Sequence, residues 1–240
     1  MSEDDFTVAF LNDVVEEAEI AAALPLRRQC QYRKDAFLEQ RPRLFQKNFR
    51  LSKELTQNLM RIIEPVIVKK TEFDLKTKVL CALNFFGHGS YQSPVGENVN
   101  MNMSQPSVSR CIAEVTEALN HPEVFDQWVK FPSTFQELNQ IVRDFYSTYG
   151  LPGVIGCLDC THCAIVPPDT INFDERSYVN RKNYHSINTQ LICDANLKII
   201  NVNALFPGST HDCHIWNSSR VLTFMEQLYN NGHTNYHLIG

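Results

Sequence analysis

The sequence lacks the features that would place the chain in a membrane or secretory class. It contains no apolar run of about 18 residues, so no transmembrane helix is predicted. Residues 1–26 contain seven acidic residues and no Lys or Arg, so the basic and apolar segments of a signal peptide are missing. Sequence repeats and low-complexity segments are absent as well. We therefore expect an intracellular protein whose eight Cys residues are reduced thiols rather than disulfides.

Charge is distributed unevenly along the chain. The formal net charge is −5, which by itself argues against a protein that coats DNA nonspecifically. Residues 27–50, however, carry a local charge of +6 from eight basic and two acidic residues. This basic segment either docks an anionic partner or forms an exposed helix face that the acidic residues 1–26 cover.

The first 150 residues are predicted to be helical. Apolar residues recur at helical spacing, for example from Phe6 to Leu24 and from Asp74 to Phe86. Ser52 is expected to cap a third helix, residues 91–103 read as irregular, and a helix at Thr134–Tyr149 leads into the second half.

Another helix is predicted to begin at Ser104-Gln105-Pro106. With the preceding helix and the linker between them, it gives the pattern of a helix-turn-helix. Its apolar face is predicted from Val108 to Leu119. The opposite face is predicted to carry Gln105, Ser107, Arg110, Glu114 and Glu117. Because the two Glu residues would repel phosphates, only the first turn is expected to contact DNA, which makes Gln105, Ser107 and Arg110 the candidate nucleic-acid-binding residues. The alternative is ordinary packing within a helical bundle.

From residue 151 the chain changes to strand patterns. Gly153–Val166 is predicted to be a strand buried on both faces, and β-rich runs follow at His185–Cys193 and Lys198–Phe206. The last of these alternates, with Phe206 predicted on one face and Asn203 on the other. A helix at Arg220–Tyr229 and a strand at Tyr236–Gly240 come next. The predicted class is α+β, with a helical region at 1–150 and an incomplete RNase H-like mixed sheet at 151–240.

Two acidic residues stand out in this second half. Asp159 lies in the middle of the first predicted strand, where a carboxylate is unfavourable unless it has a partner. Asp212 follows the turn at Gly208, which can direct its side chain back to the sheet. We expect the two carboxylates to converge within a few ångströms.

Three segments around these residues, Ile155–His162, Asn180–Asn188 and Pro207–Asp212, resemble consecutive motifs of the PIF/Harbinger DDE transposases and of the host nuclease derived from them. The resemblance covers roughly residues 40–240, and it departs from the family at Cys160, where Gly is usual. It implies a nuclease that hydrolyses DNA phosphodiester bonds by a two-metal mechanism, with Asp159 and Asp212 as catalytic residues and ligands of Mg²⁺ or Mn²⁺. It also implies a helical, DNA-binding N-terminal region, a Myb/SANT-like partner protein, and a location in nucleus and cytoplasm.

The remaining metal ligands are not assigned by this sequence. The resembled family has an Asp directly after the strand that corresponds to Leu238-Ile239-Gly240 and a Glu well beyond it. We therefore expect the chain to be a C-terminally truncated copy that binds metal weakly and cleaves little. Glu226, the acidic residue after Asp212, reads as a surface charge. The non-enzymatic alternative is a domesticated DNA-binding or partner-binding protein that keeps the fold.

Two further sets of residues have open interpretations. Cys160 and Cys163 with His211 and His214 have zinc-like spacing, but a flat strand directs Cys160 and Cys163 to opposite faces, which favours ordinary reduced thiols. The polar loop with Arg181, Lys182 and His185 either contacts phosphates beside the metal site or is simply solvated.

Overall fold

The structure is a computed structural model that describes residues 34–68, 71–89, 91–168 and 174–240. The chain divides into two compact units, of which the first ends at Leu119 and the second spans Asn120–Gly240. The helix predicted at Phe6–Leu24 and the start of the basic segment lie outside the described residues. Helices occupy the first unit and a mixed sheet with helices the second, which confirms the α+β class. No described helix is long and apolar enough to span a membrane.

The described part of the first unit consists of helices. They are α1 Ala36–Glu39, α2 Pro42–Phe49, α3 Lys53–Ile63, α4 Leu75–His88, α5 Gln92–Glu97 and α6 Gln105–Leu119. Ser52 caps α3 as predicted, since its hydroxyl accepts a hydrogen bond from the Leu55 amide at 3.2 Å. Helix α5 lies in a stretch predicted to be irregular, and it forms because Val95 and Val108 are buried in one apolar cluster.

One prediction for α6 is wrong. Glu114 was expected on the outer face, but it is 1% exposed and forms an ion pair with Lys78 of α4 at 2.6 Å. Lys78 is 2% exposed and also donates a hydrogen bond to the Thr71 carbonyl oxygen at 3.2 Å. A single-sequence pattern places polar residues outside, whereas two opposite charges buried together satisfy one another.

The second unit holds a four-stranded sheet with helices before and after it. The elements are α7 Pro122–Trp128, α8 Phe135–Tyr149, β1 Val154–Ala164, a 3-10 turn Glu175–Tyr178, β2 Ser186–Cys193, β3 Ile199–Pro207, α9 Asp212–Asn217, α10 Arg220–Asn230 and β4 His237–Ile239. The strand order is β3-β2-β1-β4, in which β1, β2 and β3 form an antiparallel meander and β4 lies parallel to β1. This is the succession of elements that the pattern predicted.

Helix α8 packs on the sheet within this unit. Leu138 is buried in a cluster with Ile155 and Leu228, and Phe145 is buried with Val154. The change from helix to strand lies near residue 150, but the compact unit begins earlier because α8 supplies part of the core beneath the sheet.

A bulge in β3 changes which residues share a face. Gln190 pairs with Asn203, and Asn188 pairs with Phe206, so β3 has one residue more than β2 between the two pairs. Asn203 and Phe206 therefore lie on the same face of the sheet, and the strict alternation predicted for this strand is wrong.

Candidate active site

Asp159 lies near the middle of β1, between β2 and β4. Its carboxylate oxygen Oδ1 accepts a hydrogen bond from the Cys160 amide at 2.8 Å. Asp159, Thr161 and Cys163 are all exposed, so the strand predicted to be buried on both faces has one open face among the described residues. Asp159 is therefore not a buried carboxylate, and a solvent-borne ion or phosphate can reach it.

Asp212 begins α9 and contacts β2. Its Oδ1 accepts a hydrogen bond from Asn188 Nδ2 at 2.8 Å, and the same nitrogen donates to the Thr210 carbonyl oxygen at 2.8 Å. Asn188 pairs with His162 across the sheet, and directly paired residues of antiparallel strands share a face. Asp212 therefore lies on the His162 face of the sheet.

Cys160, whose strand partner is Gln190, lies on this same face beside Asp212. Burial and the neighbouring Asp212 carboxylate raise the pKa of the Cys160 thiol to about 11. A thiol is held in its neutral form when it is desolvated and faces an anion. Asp159, one residue earlier in β1, points to the opposite face because side chains alternate along a strand.

The register places the Asp159 and Asp212 side chains on opposite faces of the sheet, which does not favour the predicted convergence of their carboxylates. No described group of three or more His, Cys, Asp and Glu residues is placed to hold a metal ion. The zinc set is not assembled either, because Cys160 and Cys163 pair with Gln190 and Ile187 and so alternate in face. The described residues alone do not complete a metal site, and Glu226 is exposed, as predicted.

Instead, the three sequence motifs meet in a hydrogen-bonded network. Asn180 is 3% exposed. Its Oδ1 accepts from the Lys182 amide at 2.9 Å, and its Nδ2 donates to Ser186 Oγ at 2.9 Å. Ser186 Oγ also lies 3.2 Å from His162 Nδ1, and Gly208 packs against it. The motifs thus fold the connection between β1 and β2 onto the turn after β3, a role that strand periodicity did not indicate.

The network presents a basic loop to solvent. Arg181 and Lys182 are exposed, next to the Asn180 anchor, whereas His185 is partly buried and its Nε2 lies 3.0 Å from Glu175 Oε1. Arg181 and Lys182 therefore remain candidate phosphate contacts, whereas the His185 ring contacts the Glu175 carboxylate.

The candidate residues of α6 lie in the first unit. Gln105 and Arg110 are exposed, and Ser107 is half-buried with its hydroxyl 2.9 Å from that of Ser104. Arg110 Nε donates to the Pro106 carbonyl oxygen at 3.2 Å, which holds the guanidinium along the first turn of the helix.

Comparison with known proteins gives matches centred on the sheet. Residues 158–239 match a family model described as DDE superfamily endonuclease. Relatives from Rattus norvegicus and Homo sapiens, each named "Putative nuclease HARBI1", are 39% identical over 151 residues, which covers 63% of this chain and 41% of each relative. "Protein ALP1-like" of Arabidopsis thaliana is 23% identical over 195 residues, covering 78% of this chain and 46% of the relative. No solved structure matches the chain.

The family-model match covers the segment that carries Asp159 and Asp212. The chain spans less than half the length of the curated relatives it matches. DDE superfamily endonucleases generally use divalent metal ions. The resemblance predicted from the three motifs is confirmed: residues 158–239 match the DDE superfamily endonucleases, and the chain is similar to transposase-derived nucleases of the Harbinger type.

Proposed function

We propose that the chain is part of a metal-dependent nuclease that hydrolyses DNA phosphodiester bonds, with Asp159 as a catalytic carboxylate. The observation that carries the proposal is the place of Asp159 on the central strand β1, exposed on the open face of the sheet. A carboxylate fixed on a rigid strand and accessible to solvent suits a hard divalent ion, which prefers oxygen ligands.

The register of β4 indicates where a further ligand would lie. Ile239 pairs with Cys157 in the parallel ladder, so the position two residues beyond Ile239 is in register with Asp159. The resembled family has an Asp at that position. A carboxylate at that position would stand beside Asp159 on the neighbouring strand.

In such a site Mg²⁺ or Mn²⁺ would activate a water molecule or 3′-hydroxyl and stabilise the leaving oxygen. This chain supplies the Asp159 carboxylate, oriented by its hydrogen bond from the Cys160 amide. Arg181 and Lys182 are proposed to contact the DNA backbone. For Asp212, contact with Asn188 and Cys160 supports a structural role in docking α9 rather than metal ligation beside Asp159.

Nicking of supercoiled plasmid by the protein tests the proposal. Activity with Mg²⁺ or Mn²⁺ is expected to disappear with EDTA and in Asp159→Asn, while Glu226→Gln, a matched change of an exposed acid, keeps it. Undiminished nicking by Asp159→Asn would refute the assignment. We also expect a small Mn²⁺-dependent rise in the unfolding temperature of the chain, which Asp159→Asn removes.

A second candidate is a DNA-binding protein without catalysis. It is favoured by the absence of a three-residue metal cluster among the described residues and by the chemistry of α6. Glu114 is withdrawn into the Lys78 ion pair, so it does not repel phosphates from the exposed Gln105 and Arg110. This candidate keeps the proposed nuclear and cytoplasmic location and the Myb/SANT-like partner, and it predicts binding without nicking.

The salt dependence of DNA binding tests the candidate phosphate contacts of the first and second units separately. Removing one side chain that neutralises a phosphate should reduce the slope of log K against log salt by about 0.9. We expect Arg181→Gln with Lys182→Gln, and separately Arg110→Gln, to flatten the slope. Arg176→Gln, another exposed base in the second unit, serves as the control and should leave the slope unchanged. If all variants had the slope of the unmodified protein, Arg110, Arg181 and Lys182 would be exposed to solvent without contacting a phosphate.

A further inference from the structure

Buried polar atoms without partners gather on the face of the sheet opposite Asp159. Gln190 is 0% exposed and Asn188 is 1% exposed. The Gln190 NH₂ group faces the Cys160 thiol, which pairs with it across β1 and β2. Gln190 Oε1, Asn188 Oδ1 and Asn203 Oδ1 have no hydrogen-bond partner among the described residues. Buried amides are nearly always hydrogen-bonded, so three such oxygens on neighbouring strands indicate that something else satisfies them.

The register places these atoms together. Gln190 and Asn203 are directly paired across β2 and β3, and the β3 bulge keeps them on the Asn188 face. Asn188 Nδ2 is already engaged by the Thr210 carbonyl and by Asp212, which fixes the amide orientation and leaves Oδ1 as an acceptor. We call Asn188, Gln190, Asn203 and Asp212 the amide cluster.

The chemistry of the amide cluster is that of a cation site. Its unpaired atoms are three carbonyl-type oxygens, and Asp212 brings a carboxylate to the same place. Amide oxygens replace the hydration shell of sodium and potassium ions, and hard cations are held by oxygen ligands generally. Asp212 is the one formally charged member of the cluster, so a single positive charge balances it without leaving net charge in a buried region. Asp212 is exposed, which provides a path of entry.

We propose that the amide cluster binds an alkali cation, sodium or potassium, and that this ion holds α9 against β2. The site lies on the opposite side of the sheet from Asp159 and is independent of the proposed nuclease metal. It also gives Gln190 a role, although the sequence motifs did not single this residue out.

Thermal unfolding of the 240-residue chain tests the proposal. In choline chloride the unfolding temperature should be lower than in KCl or NaCl at the same ionic strength, and titration with the favoured cation should raise it to a plateau. Gln190→Met keeps the side-chain volume but removes the oxygen, so it should abolish the cation-dependent rise, as should Asp212→Asn. Asp159→Asn should retain the full rise.

Any of the following outcomes would overturn the proposal. One is equal unfolding temperatures in choline, sodium and potassium. Another is a cation-dependent rise that survives Gln190→Met, or that is lost in Asp159→Asn. The last is a crystal grown in RbCl that shows no anomalous peak within coordination distance of Asn188 Oδ1, which would assign the partners of the amide cluster to ordered water. The crystal also decides the question if Asp212→Asn fails to fold.

Discussion

At the scale of single residues, Gly208 has no room for a side chain. A Cβ at this position would collide with Ser186 Oγ and lie 2.6 Å from the Tyr178 carbonyl oxygen. Gly208→Ala is therefore expected to lower the free energy of unfolding by about 1–3 kcal/mol or more, because backbone must move. Gly232→Ala is the control, since its Cβ meets nothing within 4 Å and only its φ of +86° is strained. Urea unfolding measures both, and an equal loss would mean that the motif turn tolerates a side chain.

The reactivity of Cys160 reports where Asp212 lies. Burial and then the Asp212 carboxylate raise the pKa of this thiol to about 11, so little thiolate is present at neutral pH. Asp212→Asn removes the charge and should lower the pKa, which makes alkylation of Cys160 by iodoacetamide faster at a given pH. Asp159→Asn should have a smaller effect. Peptide-resolved mass spectrometry gives the alkylation rates. A larger effect of Asp159→Asn than of Asp212→Asn would mean that Asp159, and not Asp212, is the carboxylate beside the Cys160 thiol.

At the scale of elements, α8 begins with a capping box. The Glu137 carboxylate accepts hydrogen bonds from the Ser133 and Thr134 amides and contacts Lys130, which lowers its pKa to about 2 from its usual 4.5. A lowered pKa means that the stabilisation is complete above the unfolded-state value and is lost as pH falls toward 2. Glu137→Gln should therefore reduce stability at neutral pH and flatten its decline between pH 4.5 and 2. Gln140→Ala, one turn later, should leave the pH profile unchanged when melts are recorded across this range.

Helices α4 and α6 are joined by the buried ion pair of Lys78 and Glu114. Glu114→Gln leaves the Lys78 ammonium buried without its counter-charge and should cost about 3–5 kcal/mol of unfolding free energy. Replacing both residues, as Lys78→Met with Glu114→Leu, should recover much of the loss because no charge is left buried. Denaturant unfolding of Lys78→Met, of Glu114→Leu and of the double variant forms the cycle. A double variant as unstable as the sum of the singles would show that the two charges do not interact.

At the scale of the whole molecule, the compact second unit begins at Asn120, before the first strand. A fragment of residues 120–240 is expected to unfold cooperatively with mixed helix and strand signals in circular dichroism. A fragment of residues 150–240 lacks Leu138 and Phe145, whose burial against the sheet contributes about 1.5–3 kcal/mol each. It should be much less stable or unfolded. Equal stability of the two fragments would mean that α8 is not part of the sheet unit.

The amino-acid sequence by itself determined the order of the strands and of most longer helices, the meander of three strands, the fourth strand, and the three motifs that identify the resemblance. These follow from local information: apolar periodicity, caps such as Ser52 and turn residues such as Gly208. The sequence also singled out Asp159, as an acid in the middle of a strand, and Asp212, as an acid that follows the turn at Gly208. Whether they act together was beyond it, because that depends on which face of a strand each side chain occupies.

Only the tertiary structure decided the faces and the burial of polar groups. One bulge in β3 moved Asn203 onto the face of Gln190, and the pairing of His162 with Asn188 placed Asp212 across the sheet from Asp159. Glu114 went inside because Lys78 of another helix meets it there. Each outcome depends on a partner that is distant in sequence, and the residues adjacent in sequence do not indicate which partner that is. A one-residue change of register reverses every face in a strand, which is why periodicity alone predicted the strands but not the site.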